Sequence, residues 1–247
     1  MIKKVAFLSL LSLGSVWALQ AQATIVNWDL TAAPTTTTGD ANVNSLTFSS
    51  GGHTVKATGY CSSSTTDSSG AMVAAHIQQY SGGLGIDSNG GSACSGDSVN
   101  VAPDHAIDNN GKDNFLLLEF DSVMAAQAFQ IGWKGTDSDI QLWYGSSSLG
   151  AGLSLSGVNA CVSGSNCTTL STLGFTPTSQ FNNVAINTSQ TINSPVNSRY
   201  LIVSGALNQN DDFFKFNKIS TKIPLPSTLL LFGVGLVGLH FRQRKRV

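Results

Sequence analysis

Ala128-Phe129-Gln130-Ile131-Gly132-Trp133-Lys134 is the stretch whose reading decides the fold. Phe129, Ile131 and Trp133 alternate with Gln130, Gly132 and Lys134, and a period of two is the mark of a strand with one face on a core. Trp133 falls on the core side by this count. The neighbours repeat the pattern: Asn114 to Asp121 sets Leu116, Leu118 and Phe120 against Glu119 and Asp121. Asp139 to Tyr144 sets Ile140, Leu142 and Tyr144 on one side and leaves Trp143 beside Gln141 on the other.

Further strands are predicted at Thr24–Leu30, Asn183–Asn187, Arg199–Leu207 and Asp212–Ser220. Ser45–Ser50 and His53–Tyr60 read as a hairpin about Gly51-Gly52, a pair that tolerates positive φ. Ala71–Tyr80 reads equally as helix or strand, while the Ser-, Thr- and Asp-rich Cys61–Gly70 and the Gly/Ser-rich Ser81–Asn100 read as loops. Sustained helical spacing is absent from residues 24–222. The expectation is an all-β ectodomain over 24–222, a single jelly-roll-like β-sandwich.

Both ends carry export signals. Lys3 and Lys4, an apolar core over Val5–Val16 and the small-residue site Ala21-Gln22-Ala23 make residues 1–23 a signal peptide. Residues 223–247 contain Pro224-Leu225-Pro226, an uncharged run from Ser227 to Phe241 interrupted by His240, and the bases Arg242, Arg244, Lys245 and Arg246. Such a run crosses hydrocarbon as a single C-terminal transmembrane helix, with the basic cluster held on the cytoplasmic side of the inner membrane. An ordinary single-pass anchor is the plain alternative. Gly233–Gly238 matches a dinucleotide-binding pattern by letter, but it lacks the preceding strand and the later acid, so no cofactor is expected.

This tail resembles the C-terminal sorting signal of the exosortase-processed PEP-CTERM surface proteins of Gram-negative bacteria, in a Pro-Leu-Pro variant with Leu225 in place of Glu. The resemblance implies an exosortase-type processing enzyme as partner and cleavage near the prolines. It also implies a precursor anchored in the inner membrane and then a cell-surface or extracellular-matrix location. A second set of residues covers Tyr80 to Tyr144. Tyr80-Ser81-Gly82-Gly83-Leu84-Gly85-Ile86, His105-Ala106-Ile107-Asp108-Asn109, Asp113, Phe120, Gly132-Trp133 and Asp137-Ser138-Asp139 resemble one family of exosortase-dependent surface proteins. That resemblance implies location and fold, and no enzymatic activity.

All fourteen acids but only seven of the thirteen bases lie between Thr24 and Lys222, so the ectodomain carries 7 − 14 = −7 against −1 for the whole chain. An acidic surface excludes nucleic acid as a partner and disfavours anionic headgroups, while weak cation binding is compatible with it. Cys61, Cys94, Cys161 and Cys167 all lie in the exported part, where an even count reads as two disulfides. Proximity favours Cys161–Cys167 and Cys61–Cys94, and a metal site is the competing reading.

Asp104, Asp108, Asn110 and Asp113 gather around Gly111, with Asp137 and Asp139 at the mouth of the next strand pair. Oxygen-rich clusters of this kind suit Ca²⁺, although Lys112 breaks the EF-hand spacing, and an Asx-rich turn accounts for the same residues. His105 has acids near it, but no Gly-x-Ser-x-Gly accompanies it, and Glu119 is the only Glu. The expected role is therefore structural and non-enzymatic. The alternative is a carbohydrate-binding module that stacks surface polysaccharide on Trp143, with or without calcium. An extracellular hydrolase is a distant third.

Overall fold

The computed structural model describes residues 23–39, 44–63, 70–87, 105–159, 170–178, 180–207 and 209–224. Residues 1–22 of the signal peptide, Cys94, Asp104, Cys161, Cys167 and the tail from Leu225 through Arg242, Arg244, Lys245 and Arg246 lie outside them. Among the described residues no helix is long and apolar enough to cross a membrane. Ile25–Ile223 make one compact unit.

The class is all-β. The strands run β1 Ile25–Asp29, β2 Thr36–Gly39, β3 Asn44–Ser50, β4 His53–Ser62, β5 Met72–Tyr80, β6 Gly83–Asp87, β7 Ile107–Asp108 and β8 Asn114–Lys134. Then come β9 Ile140–Gly145, β10 Phe175–Pro177, β11 Gln190–Thr191, β12 Asn197–Gly205 and β13 Phe213–Lys222. The ambiguous Ala71–Tyr80 is strand, and the hairpin at Gly51-Gly52 forms as expected. Asn183–Asn187 is not a strand: Asn183, at a bend, and Asn187, in a turn, take positive φ of 49° and 55°.

Among the described residues all thirteen strands belong to one hydrogen-bonded sheet, ordered β10-β9-β12-β8-β13-β6-β5-β4-β3-β2, with β1, β7 and β11 attached to its side. A further β8–β4 pairing closes β8, β13, β6, β5 and β4 into a barrel. The 21-residue β8 makes this closure possible. Its first half pairs with β4, from Asn114↔Cys61 to Phe120↔Val55. Its second half pairs with β13, from Ala125↔Lys222 to Lys134↔Phe214. The sheet closes on itself through one long strand, and a sandwich of two separate sheets is not confirmed.

Two apolar clusters hold the sheet. One gathers the inward residues of the ring, including Val55, Ile77, Leu84, Leu116, Phe129, Ile131, Phe216 and Ile219. The other lies on the opposite face of β8, β9 and β12, where Phe115, Leu117, Trp143, Tyr200 and Ile202 are covered by Leu155, Val158, Leu170 and Phe175. The run Phe115-Leu116-Leu117-Leu118 serves both, and a strand buried on both faces needs such continuity.

Candidate functional site

Where β13 begins, three carboxylates converge. Asp137, Asp139 and Asp212 each offer an oxygen, and these oxygens lie within 4.8 Å of one another. Asp137 bridges Asp212 through the backbone, and Asp139 and Asp212 are buried. Asp212 accepts bonds from the Asp139 N–H at 2.5 Å, the Ala206 N–H at 3.0 Å and Asn109 Nδ2 at 2.7 Å. Asn109 in turn accepts from the Asp212 N–H through Oδ1, at 2.9 Å. Asp139 accepts from the Asn183 N–H and from the amides of Gln180 and Gln209. Burial is the main cause that pushes the Asp212 carboxyl up to about 6, and the Asp139 charge adds to it, against the pull of the donors. Three carboxylates at this spacing have the donor chemistry for a hard cation. Their oxygens are already engaged in tying the 137–139 turn, the Asn109 segment and the start of β13 together.

Of the oxygen-rich residues named from sequence, Asp137 and Asp139 meet, and the third carboxylate is Asp212, which sequence reasoning placed only at the start of a strand. Its signal was the pair Asp211-Asp212 just before the apolar alternation of β13. Asp108 and Asp113 are not among the carboxylates that converge there. The Asp108 side chain accepts the Asn110 N–H at 3.1 Å, which is an Asx turn, and Asp108, Lys112 and Asp113 are buried.

His105 stacks on Tyr80, with centroids 5.4 Å apart. His53 Nδ1 lies 3.1 Å from Asp121 Oδ1 and 3.5 Å from Ser122 Oγ, so acid and hydroxyl compete for one ring nitrogen. A triad needs them on opposite nitrogens. Glu119 accepts the Gly152 N–H and the Tyr200 hydroxyl, fixing the chain that covers the second cluster.

The two tryptophans are exchanged relative to the sequence reading. Trp143, the sequence candidate for an exposed sugar-stacking ring, is 7% exposed, because its face of β9 meets the second apolar cluster and not solvent. Trp133, assigned to the core by parity, is half-buried on the outer face of the barrel. The cause is an irregularity: Lys215 pairs with Trp133 but Phe216 pairs with Ile131, so Gly132 is an extra residue that turns Trp133 to the other face. There the Lys215 ammonium lies 3.9 Å from the Tyr80 ring centroid and 5.1 Å from that of Trp133. A side chain at Gly132 would strike the Gly82 carbonyl, so the close approach of the β5–β6 turn requires glycine. The Tyr80–Gly85 and His105–Asn109 segments thus meet each other and β13 directly.

Cys61 is buried and disulfide-bonded, with its partner outside the described residues. The fold ends at Lys222, and Ile223 packs on the first cluster. No curated protein and no solved structure matches the chain. Residues 222–245 match the family model of the PEP-CTERM protein-sorting motif, with Leu225 between the two prolines. The chain is an exported protein that ends in the PEP-CTERM sorting motif, a membrane-anchored precursor for processing by an exosortase-type enzyme.

Proposed function

We propose that the β-domain is a non-enzymatic component of the cell surface or extracellular matrix, delivered by removal of its tail. The observation that carries this reading is the abutment of fold and signal in the sequence: β13 ends at Lys222, and the sorting motif starts there. Pro224 and Pro226 keep the backbone next to the last strand out of a helix, since proline lacks an N–H and disfavours helix in the residue before it. A cut at these prolines frees the folded unit without severing a strand. The polar clusters support a structural role, because their acids and histidines are engaged in joining segments of the sheet. Intact-mass measurement of protein released from cells tests the reading. The expected species ends near Pro224–Pro226 and lacks Arg242–Val247, and replacing both prolines by alanine leaves uncut precursor in the membrane. A released species that retains the basic end overturns it.

A further inference from the structure

Three of the seven bases in residues 24–222, Lys215, Lys218 and Lys222, stand on β13. Phe214, Phe216, Ile219 and Thr221 of that strand are buried, which leaves the lysines on its outer side. In a domain of net charge −7 this is a local reversal of sign. Beside them a cleft of about 340 Å³ opens between β1, β8 and β13, with Asn27, Asp29, Gln130, Ser189, Lys218 and Ser220 as its polar lining. Lys215 stands opposite Trp133, Lys218 opposite Gln130 and Ser220 opposite Ala128. Ring stack and cleft follow one another along β13 as a strip, roughly 17 Å from Lys215 to Ser220 at about 3.3 Å per residue.

Lys215 and Lys218 differ. Lys218 is 3.9 Å from Asp29. Among the described residues the Lys215 ammonium faces the rings of Tyr80 and Trp133 and no carboxylate. Burial lowers its pKa, as expected of an ammonium that has given up water without gaining an anion. A charge in that position gains more from an incoming anion than one in open solvent. The half-exposed rings supply apolar surface, and the amides and hydroxyls of the cleft match a ligand rich in hydroxyl groups.

We propose that this strip binds an extended glycan carrying carboxylates, with a uronate residue at Lys215 and the adjoining sugars in the cleft. An anionic headgroup surface would also feel the lysines, but a flat surface does not enter a cleft walled by Asn27, Gln130 and Ser189. The proposal is independent of how the tail is removed.

The test is calorimetric titration of the full chain in detergent with four probes: a short oligouronate, the neutral oligosaccharide of the same linkage, monomeric glucuronate and glycerophosphoserine. The oligouronate is expected to bind at least ~10-fold more tightly than each of the others, a gap of about 1.4 kcal/mol. Lys215→Met and Gln130→Ala should each weaken it, the first by at least ~10-fold, while Lys56→Met on the exposed side of β4 leaves it unchanged. Near-UV circular dichroism checks that the variants fold, and if Lys215→Met does not, Gln130→Ala and the probe comparison decide. Absence of oligouronate binding, equal binding of any other probe, or unchanged binding in folded Lys215→Met or Gln130→Ala overturns the proposal.

Discussion

Burial holds the Asp212 carboxyl at about 6 in the folded chain, against an ordinary value of 3.8. Between those two values the native state holds a proton that the unfolded state has lost, so stability falls as pH rises through that window. The difference corresponds to at most roughly 3 kcal/mol. Asp29 runs the other way: the Thr31 hydroxyl is the main cause that lowers its carboxyl, so its contribution is present above 3.8 and lost in stronger acid. Denaturation followed from pH 4 to pH 7 should show the decline, and Asp212→Asn should flatten it. A variant with the same slope would place the titrating group elsewhere. The tryptophans give a second residue-level contrast. Trp143→Ala empties a place in the second cluster and should cost about 3–5 kcal/mol. Trp133→Ala, which removes a half-exposed ring, should cost no more than roughly 2 kcal/mol. Denaturant midpoints for the pair measure this contrast.

At the scale of elements, β6 is tied to β13 through the single pair Phe216↔Leu84. Gly83 next to it has φ +120°, and a Cβ there would collide with the Phe216 carbonyl oxygen. Gly83→Ala combines a conformation worth roughly 1–3 kcal/mol of strain with a backbone clash, and the ring should open at this seam. Hydrogen exchange would show it as faster exchange at Leu84 and Phe216, with the β3–β4 hairpin unaffected. Most strands were legible, because β3, β4, β9, β12 and β13 alternate or carry dense apolar runs. What stayed hidden is where alternation slips. One extra residue at Gly132 reverses the face of Trp133, and nothing in the letters Ile131-Gly132-Trp133 says that glycine is a bulge and not a gap in the pattern. The Trp143 misreading has another origin: parity tells which side a residue takes, not whether that side is wet. The acidic site was half legible for a similar reason, since Asp212 reaches Asp137 and Asp139 only through the pairing of segments more than 70 residues apart.

For the whole molecule, sequence pattern conveyed the all-β class and the tail, yet not the closure, because no local signal tells a strand that its two halves will take different partners. That closure joins the ends of the folded unit. β1 lies against β13 from Ile25↔Lys222 to Asp29↔Lys218, and β13 also completes the ring with β8. Contacts so distant in the chain are slow to form and need both partners present. A chain that enters the export channel by its N-terminus therefore emerges with β1 unpaired and the ring open. Among the described residues β13 is the last strand to cross, and it crosses just ahead of the sorting motif. The ring therefore cannot close until residue 222, where the sorting motif begins, has been delivered. A chain ended after Leu207 should cross and remain open, digested by external protease at a rate far above that of the full chain, as pulse-labelled secretion assays would reveal.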